Sequence, residues 1–174
     1  MISSKKISLK IIIIGEPAVG KTSLVKKFVS GQFTEDYRSS IGTNIFTKKI
    51  VLENKTIANL QLWDIAGQER WIKMRGSYYS GARGVIIVGD LTRKNSFDQI
   101  EKFWIPDITK YCPLAPIILL ANKQDLLSTV DKKDVISLEK SLNISSTLYT
   151  SAKTGENVEL AFRVMSEQSI RHFK

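Results

Sequence analysis

The stretch that decides the fold is Gly15-Glu16-Pro17-Ala18-Val19-Gly20-Lys21-Thr22, set between an apolar run at residues 9–14 and an amphipathic stretch at Lys21–Ser30. The run stops at Gly15 and reads as a strand buried on both faces. The stretch behind it puts Leu24, Val25, Phe28 and Val29 on one helical face, with Gly31 as its C-terminal stop. The octapeptide fits the spacing G-x-x-x-x-G-K-[ST] and sits between strand and helix, where a phosphate loop belongs. Its glycines let the backbone curl so that N–H groups surround an anion, and the helix N-terminus adds partial positive charge. Lys21 is then placed to reach terminal phosphates, and the Thr22 hydroxyl to ligate Mg²⁺.

Working outward, residues 44–52 and 57–64 read as two strands joined by the polar turn Glu53-Asn54-Lys55-Thr56, a link so short that it demands antiparallel pairing. After that the rhythm is regular. Strands at 85–88, 117–121 and 147–150 alternate with three helical patterns. The first spans 96–111 and carries Phe97, Ile100 and Trp104; the second is marked by Val135, Leu138 and Leu142, and the third by Val158, Phe162 and Met165. Such alternation implies a mainly parallel sheet covered on both faces, and no repeat or linker divides residues 1–174. Ligands of such sheets bind beyond the carboxyl ends of the strands, here just after Ile14, Asp64, Gly89, Ala121 and Thr150.

Three further segments fall at those ends: Asp64-Ile65-Ala66-Gly67-Gln68-Glu69, Asn122-Lys123-Gln124-Asp125 and Ser151-Ala152-Lys153. Asn122 and Asp125 are suited to guanine, because a carboxylate accepts both its ring N–H and its exocyclic amine. Adenine lacks that donor pair and would strand a carboxylate, which counts against an ATPase or ATP-dependent kinase.

Composition sets the wider bounds. At 43% hydrophobic and 25% charged residues the chain is of soluble globular type, and a net charge of +9 points to an anionic partner. The lysines are scattered (Lys5/Lys6, Lys48/Lys49, Lys132/Lys133), as on solvated faces, so no nucleic-acid partner is expected. One cysteine, Cys112, and one histidine, His172, leave no internal disulfide and no histidine cluster, which fits a reducing cytoplasm. No segment approaches the ~20 apolar residues that span a bilayer. Position 2 is Ile, so there is no glycine to myristoylate, and His172-Phe173-Lys174 offers no cysteine to prenylate. The expectation is a truncated chain or one that works without a prenyl anchor, cytoplasmic and at most peripheral at membranes.

With these motifs in order, the chain resembles the small Ras-like GTPases over nearly its whole length. It is most similar to the Rab branch through Leu60-Gln61-Leu62-Trp63-Asp64-Ile65-Ala66-Gly67-Gln68-Glu69-Arg70-Trp71 and Tyr78-Tyr79-Ser80-Gly81-Ala82. Thr43-Asn44-Ile45 departs from that branch's usual valine-aspartate-phenylalanine. The resemblance implies an α/β P-loop NTPase three-layer sandwich, with a six-stranded, mostly parallel sheet, one antiparallel edge strand and about five helices.

It also implies GTP and GDP as ligands, held by Glu16, Pro17, Ala18, Val19, Gly20, Lys21, Thr22, Ser23, Phe33, Tyr37, Ser40, Gly67, Asn122, Lys123, Asp125, Ser151, Ala152 and Lys153. Mg²⁺ is expected on Thr22 and Ser40, with Asp64 acting through a water. For hydrolysis, Gln68 is expected to orient the attacking water, the Gly67 N–H to hold the γ-phosphate and Lys21 to neutralise charge. No arginine is evidently placed to act from within the chain, so turnover is expected to be slow, on the order of 10⁻⁴ s⁻¹ in the Ras-type case. Residues 37–43 and 66–78 would loosen when the γ-phosphate leaves, and Trp63, Trp71 and Tyr78 are candidates for the surface that effectors read. Exchange factors and GTPase-activating proteins are the other partners implied, on a chain expected to be monomeric. The alternative is a guanine-nucleotide-binding scaffold with little hydrolysis, against which Gln68 counts. Two departures stand out: Pro17 removes an N–H from the loop, and Ser40 replaces the family's switch threonine.

Overall fold

The computed structural model describes residues 5–33, 42–67 and 72–173. In chain order these form β1 (Lys6–Ile14), α1 (Lys21–Ser30), β2 (Thr43–Val51), β3 (Ile57–Ile65), α2 (Ile72–Tyr79), β4 (Gly84–Asp90), α3 (Lys94–Gln99), a π-helical stretch (Ile100–Trp104), α4 (Ile105–Tyr111), β5 (Ile117–Asn122), α5 (Lys132–Ser141), β6 (Ser146–Thr150) and α6 (Val158–His172). The strands make one six-stranded sheet in the order β2-β3-β1-β4-β5-β6. Only β2 runs antiparallel, paired with β3 at the edge. With α3, the π stretch and α4 taken as one rod, five helical segments among the described residues flank the sheet. This is the expected architecture.

The core follows from the period of two along β1. Ile11 and Ile13 face a layer built on α1 and α6, where they meet Leu24, Val25, Phe28, Phe162 and Met165. Ile12 and Ile14 face the other way, toward Phe97, Ile100, Trp104 and Ile108 of the rod and Val135 of α5. Each of these β1 isoleucines is essentially inaccessible to solvent, worth roughly 1.5–3 kcal/mol apiece relative to exposure. That is why an apolar run with no alternation forms a strand here: both its faces are covered.

Three local differences from the sequence reading have physical causes. β1 begins at Lys6, because its ladder with β3 starts there (Lys6 opposite Ile57) and backbone pairing needs no apolar side chain. α2 carries no aliphatic stripe; among its described side chains the buried ones are Arg75 and Tyr79, so no helical period marks it. The rod begins at Lys94 and is not uniformly α-helical. Pro106 has no N–H to give and its ring crowds the carbonyl one turn back. The preceding turns are widened, and the Ile105 N–H reaches Ile100 O, five residues away.

Parallel register brings the functional strand ends together. Asp90 lies opposite Asn122, which lies opposite Thr150, and Ile13 lies opposite Asp64. Across the α1–α6 layer, the Phe28 and Phe162 rings stack at 4.1 Å with 9° between their planes. Phe162 is wholly buried. Phe162→Ala is expected to lower unfolding free energy by about 3–5 kcal/mol in urea titration, the range for a buried aromatic that leaves a cavity.

Candidate phosphate and base site

The loop between β1 and α1 must curl, and its dihedrals show how. Gly20 has φ +102 and Ala18 φ +62, both in the left-handed region. A Cβ on Gly20 would also lie 2.3 Å from the Asn122 amide nitrogen, so only glycine fits. Ala18 carries its strain without that excuse, at a cost on the order of 1 kcal/mol.

The loop's carbonyls are taken up one after another. The Lys21 ammonium donates to Gly15 O at 2.9 Å and Glu16 O at 2.8 Å. An Arg93 guanidinium nitrogen donates to Pro17 O at 2.7 Å. Lys123 donates to Ala18 O at 3.1 Å, and the Asn122 amide to Val19 O at 2.9 Å. The Glu16 carboxylate accepts the Trp104 indole N–H at 3.0 Å. Among the described residues no acceptor faces the N–H groups of Ala18, Val19 and Gly20, and the α1 N-terminus has no side-chain cap. A row of open donors at a helix start is an anion site.

Lys21 and Asp64 are both buried, and both are pushed toward neutrality. Burial lowers the Lys21 ammonium to about 8; Asp64 and Glu16 oppose the shift, while Arg75 and Arg93 add to it. Burial raises the Asp64 carboxyl, against the Thr22 hydroxyl and the Lys21 charge. Thr22 Oγ1 donates to Asp64 Oδ2 at 2.5 Å, and Asp64 Oδ1 is buried without a hydrogen-bond partner among the described residues. An anion beside Lys21 and a small hard cation beside Asp64 and Thr22 would relieve both charges, and these oxygens are the donor type that Mg²⁺ takes. The residues fit a phosphate–Mg²⁺ pair.

At the other end of the same edge, Asp125 Oδ1 accepts the Ser151 hydroxyl at 2.6 Å, and Ser151 Oγ in turn accepts the Thr154 N–H. The outer oxygen of Asp125 has no protein donor among the described residues and remains for a ligand. Asn122 carries a structural load beside the role its residue type suggests. It is wholly buried, its Nδ2 donating one hydrogen to Val19 O and its Oδ1 accepting from the Thr150 hydroxyl and Ala152 N–H. It is a strut between the phosphate loop and the ends of β5 and β6, with one Nδ2 hydrogen left over. Ala152 is buried beside it, Lys153 is exposed, and Phe33 is half-buried against the α1–α6 layer.

Gly67 is brought against the phosphate loop, where a Cβ would lie 2.4 Å from Gly15 O and 2.7 Å from Pro17 N. Ser23 is partly exposed in the first turn of α1. Tyr37, Ser40, Gln68 and Trp71 lie outside the described residues. Trp63 and Tyr78 lie together, ring centroids 6.4 Å apart.

Sequence reasoning missed Arg93, Asp90 and Trp104 as parts of the site. Asp90 accepts from Lys123 at 2.7 Å and from Arg93 Nε at 3.1 Å, and both cations then reach the loop. Burial would push the Asp90 carboxyl up, but these bonds and those from Thr92 hold it below the usual range. The signal was positional: Asp90 follows Gly89, one of the strand ends where ligands bind, but no motif sits there. An arginine from within the chain does reach the loop, on its carbonyl side.

The model of the Ras family matches residues 10–171. The chain belongs to the Ras family. It is Rab-like within it: it is 39% identical over 163 residues to Ras-related protein Rab-1 of Theileria annulata, covering 91% of this chain and 72% of that one. It is 43% identical over 165 residues to the GTP-binding protein ypt1 of Schizosaccharomyces pombe, covering 91% and 78%. It is 34% identical over 179 residues to the Ypt/Rab-type GTPase YPT7 of Saccharomyces cerevisiae, covering 98% and 86%.

In this Rab-like chain, Asn122→Ala strands three buried partners at once. Unfolding of the nucleotide-free protein in urea is expected to lose roughly 3 kcal/mol, with unsatisfied buried groups costing about 1–3 kcal/mol each. A loss under about 0.5 kcal/mol would mean that the loop does not lean on this strut.

Proposed function

We propose that this Rab-like protein is a small GTPase of membrane traffic, which binds GTP and GDP with Mg²⁺ at the β1–α1 loop and hydrolyses GTP slowly between two partner-binding states. The observation that carries the reading is the shared strand edge, with open loop N–H groups and buried Lys21 at one end and the free oxygen of Asp125 at the other.

The described residues are suited to the tasks proposed for them. The N–H groups of Ala18, Val19 and Gly20 bind phosphate oxygens without moving, because their carbonyls are already held. Lys21 exchanges two carbonyls for phosphate oxygens, whose negative charge offsets the burial that disfavours its ammonium. Asp125 accepts from the guanine ring N–H and exocyclic amine, with Ser151 steadying its other oxygen; Asn122, Ala152, Lys153 and Phe33 complete the base pocket. Thr22 and Asp64, with Ser40, hold the metal, which when bound neutralises charge on the β- and γ-phosphates. The Gly67 N–H holds the γ-phosphate, and Gln68 orients the water that attacks it. Glu16, Pro17 and Ser23 shape the loop around the phosphates, and Tyr37 closes it from the first switch.

Phosphoryl transfer of this kind needs positioning more than a strong base. Loss of the γ-phosphate removes what Ser40 and Gly67 hold, so the two switches are where exchange factors, GTPase-activating proteins and effectors read the state. Trp63 and Tyr78, beside the half-exposed Ile45, supply an apolar face for that reading. Among the described residues no helix is long and apolar enough to cross a membrane.

Displacement of fluorescent GDP in Mg²⁺ buffer, with single-turnover hydrolysis of GTP, tests the reading. GTP and GDP should displace the probe, and ATP should not at a hundredfold excess. Asp125→Asn should lose guanine affinity at least about a hundredfold, since two hydrogen bonds to a charged acceptor are at stake, and gain affinity for xanthosine nucleotides. Equal competition by ATP would overturn it.

A further inference from the structure

Arg93 is not in any nucleotide-binding motif, yet its side chain spans two parts of the site. Its Nε holds Asp90 Oδ2 at 3.1 Å, and a terminal nitrogen holds Pro17 O at 2.7 Å. Asp90 is buried, and the Thr92 N–H and hydroxyl fix its other oxygen at 2.9 and 2.7 Å. The same carboxylate pairs with Lys123, which holds the next carbonyl along, Ala18 O. One buried anion therefore anchors two cations, and the two cations grip the peptides on either side of Ala18.

A trans peptide places its C=O and N–H on opposite sides. Holding Pro17 O from behind turns the Ala18 N–H to the opposite side, where phosphate binds; holding Ala18 O does the same for the Val19 N–H. Pro17 has no N–H, so the Ala18 N–H is the first donor after it, and Ala18 sits at φ +62, a conformation that persists only where its surroundings enforce it. We propose that Arg93 is a positioning residue for bound nucleotide, fixing the Pro17–Ala18 peptide so that the Ala18 N–H donates to the phosphates. The inference rests on the guanine-nucleotide reading above.

A guanidinium suits the task because its rigid fork reaches the carboxylate and the carbonyl together. A lysine ammonium on a flexible stem keeps the charge but not that bridge. Arg93 is half exposed, and its replacement leaves the buried Asp90 carboxylate still paired with Lys123 and hydrogen-bonded to Thr92, so no uncompensated buried charge results. The role is thus separable from folding.

The test compares parent, R93A and R93K, each loaded with GDP or a non-hydrolysable GTP analogue. Release of fluorescent nucleotide should be about tenfold faster in R93A for both nucleotides, the effect of losing one charge-assisted hydrogen bond behind the loop. R93K should recover less than about threefold of that, because charge alone does not hold the peptide. In the ¹⁵N-resolved NMR spectrum of the GDP-bound protein, the Ala18 amide proton should move upfield in R93A. The Val19 and Gly20 amides, whose preceding carbonyls keep Lys123 and Asn122, should move less. Release within twofold of the parent, full recovery in R93K, or an Ala18 amide that does not shift would each overturn the proposal. A parent that binds no guanine nucleotide would instead remove the underlying functional reading, and this inference with it.

Discussion

A loop that offers successive N–H groups to an anion must send the matching carbonyls the other way, into protein, where each needs a donor of its own. Much of the site is arranged around that requirement. The carbonyls of Gly15, Glu16, Pro17, Ala18 and Val19 are taken by Lys21, Arg93, Lys123 and Asn122. Those donors come from α1, from the turn after β4 and from the end of β5. The parallel register that aligns Asp90 with Asn122 is what puts the last three within reach of one loop. A sheet with different strand order would leave the same octapeptide without its backing.

The same arrangement prepares the charges. Desolvation works against both the Lys21 ammonium and the Asp64 carboxylate, so the protein alone holds two ions in an environment that suits neither. Neither can leave, because Lys21 is bound to the loop it serves and Asp64 is fixed within β3. A ligand carrying phosphate and a divalent cation supplies what each lacks. Affinity from such a site comes from relief of preformed strain in the electrostatics, with little backbone left to order on binding.

Most of the fold was legible because both of its periods are strong: β1 is apolar on two faces, and α1 and α6 present stripes at helical spacing. The phosphate loop and the Asp125–Ser151 end were legible because their chemistry demands particular residue types at fixed spacing. What escaped is what depends on three-dimensional closure. Asn122 has the composition of a base reader, yet three hydrogen bonds also tie its amide to Val19, Thr150 and Ala152, a structural load that no spacing reveals and that leaves one Nδ2 hydrogen over. Arg93 and Asp90 act 76 residues or so from the loop in sequence, joined to it only through strand register. α2 was invisible because its inner face is an arginine and a tyrosine rather than leucines.

That inner face ties α2 to the loop through one aromatic side chain. Arg75 is 1% exposed, its guanidinium 4.6 Å from the centre of the Trp104 ring and 3.8 Å from Asp107, which also accepts the Tyr79 hydroxyl at 2.9 Å. Trp104 meanwhile gives its indole N–H to Glu16 of the phosphate loop. The ring therefore has a cation from the helix after Gly67 on its face and a carboxylate from the loop on its edge. Both contacts are electrostatic and shielded from water, which strengthens them relative to surface pairs. Trp104 closes the π-helical stretch that precedes Pro106, so the proline responsible for that irregularity lies two residues from the ring joining these parts of the site. An irregular turn in the rod is tolerated where a regular one would set the following residues at a different angle, and here those residues include both Trp104's neighbours and Asp107.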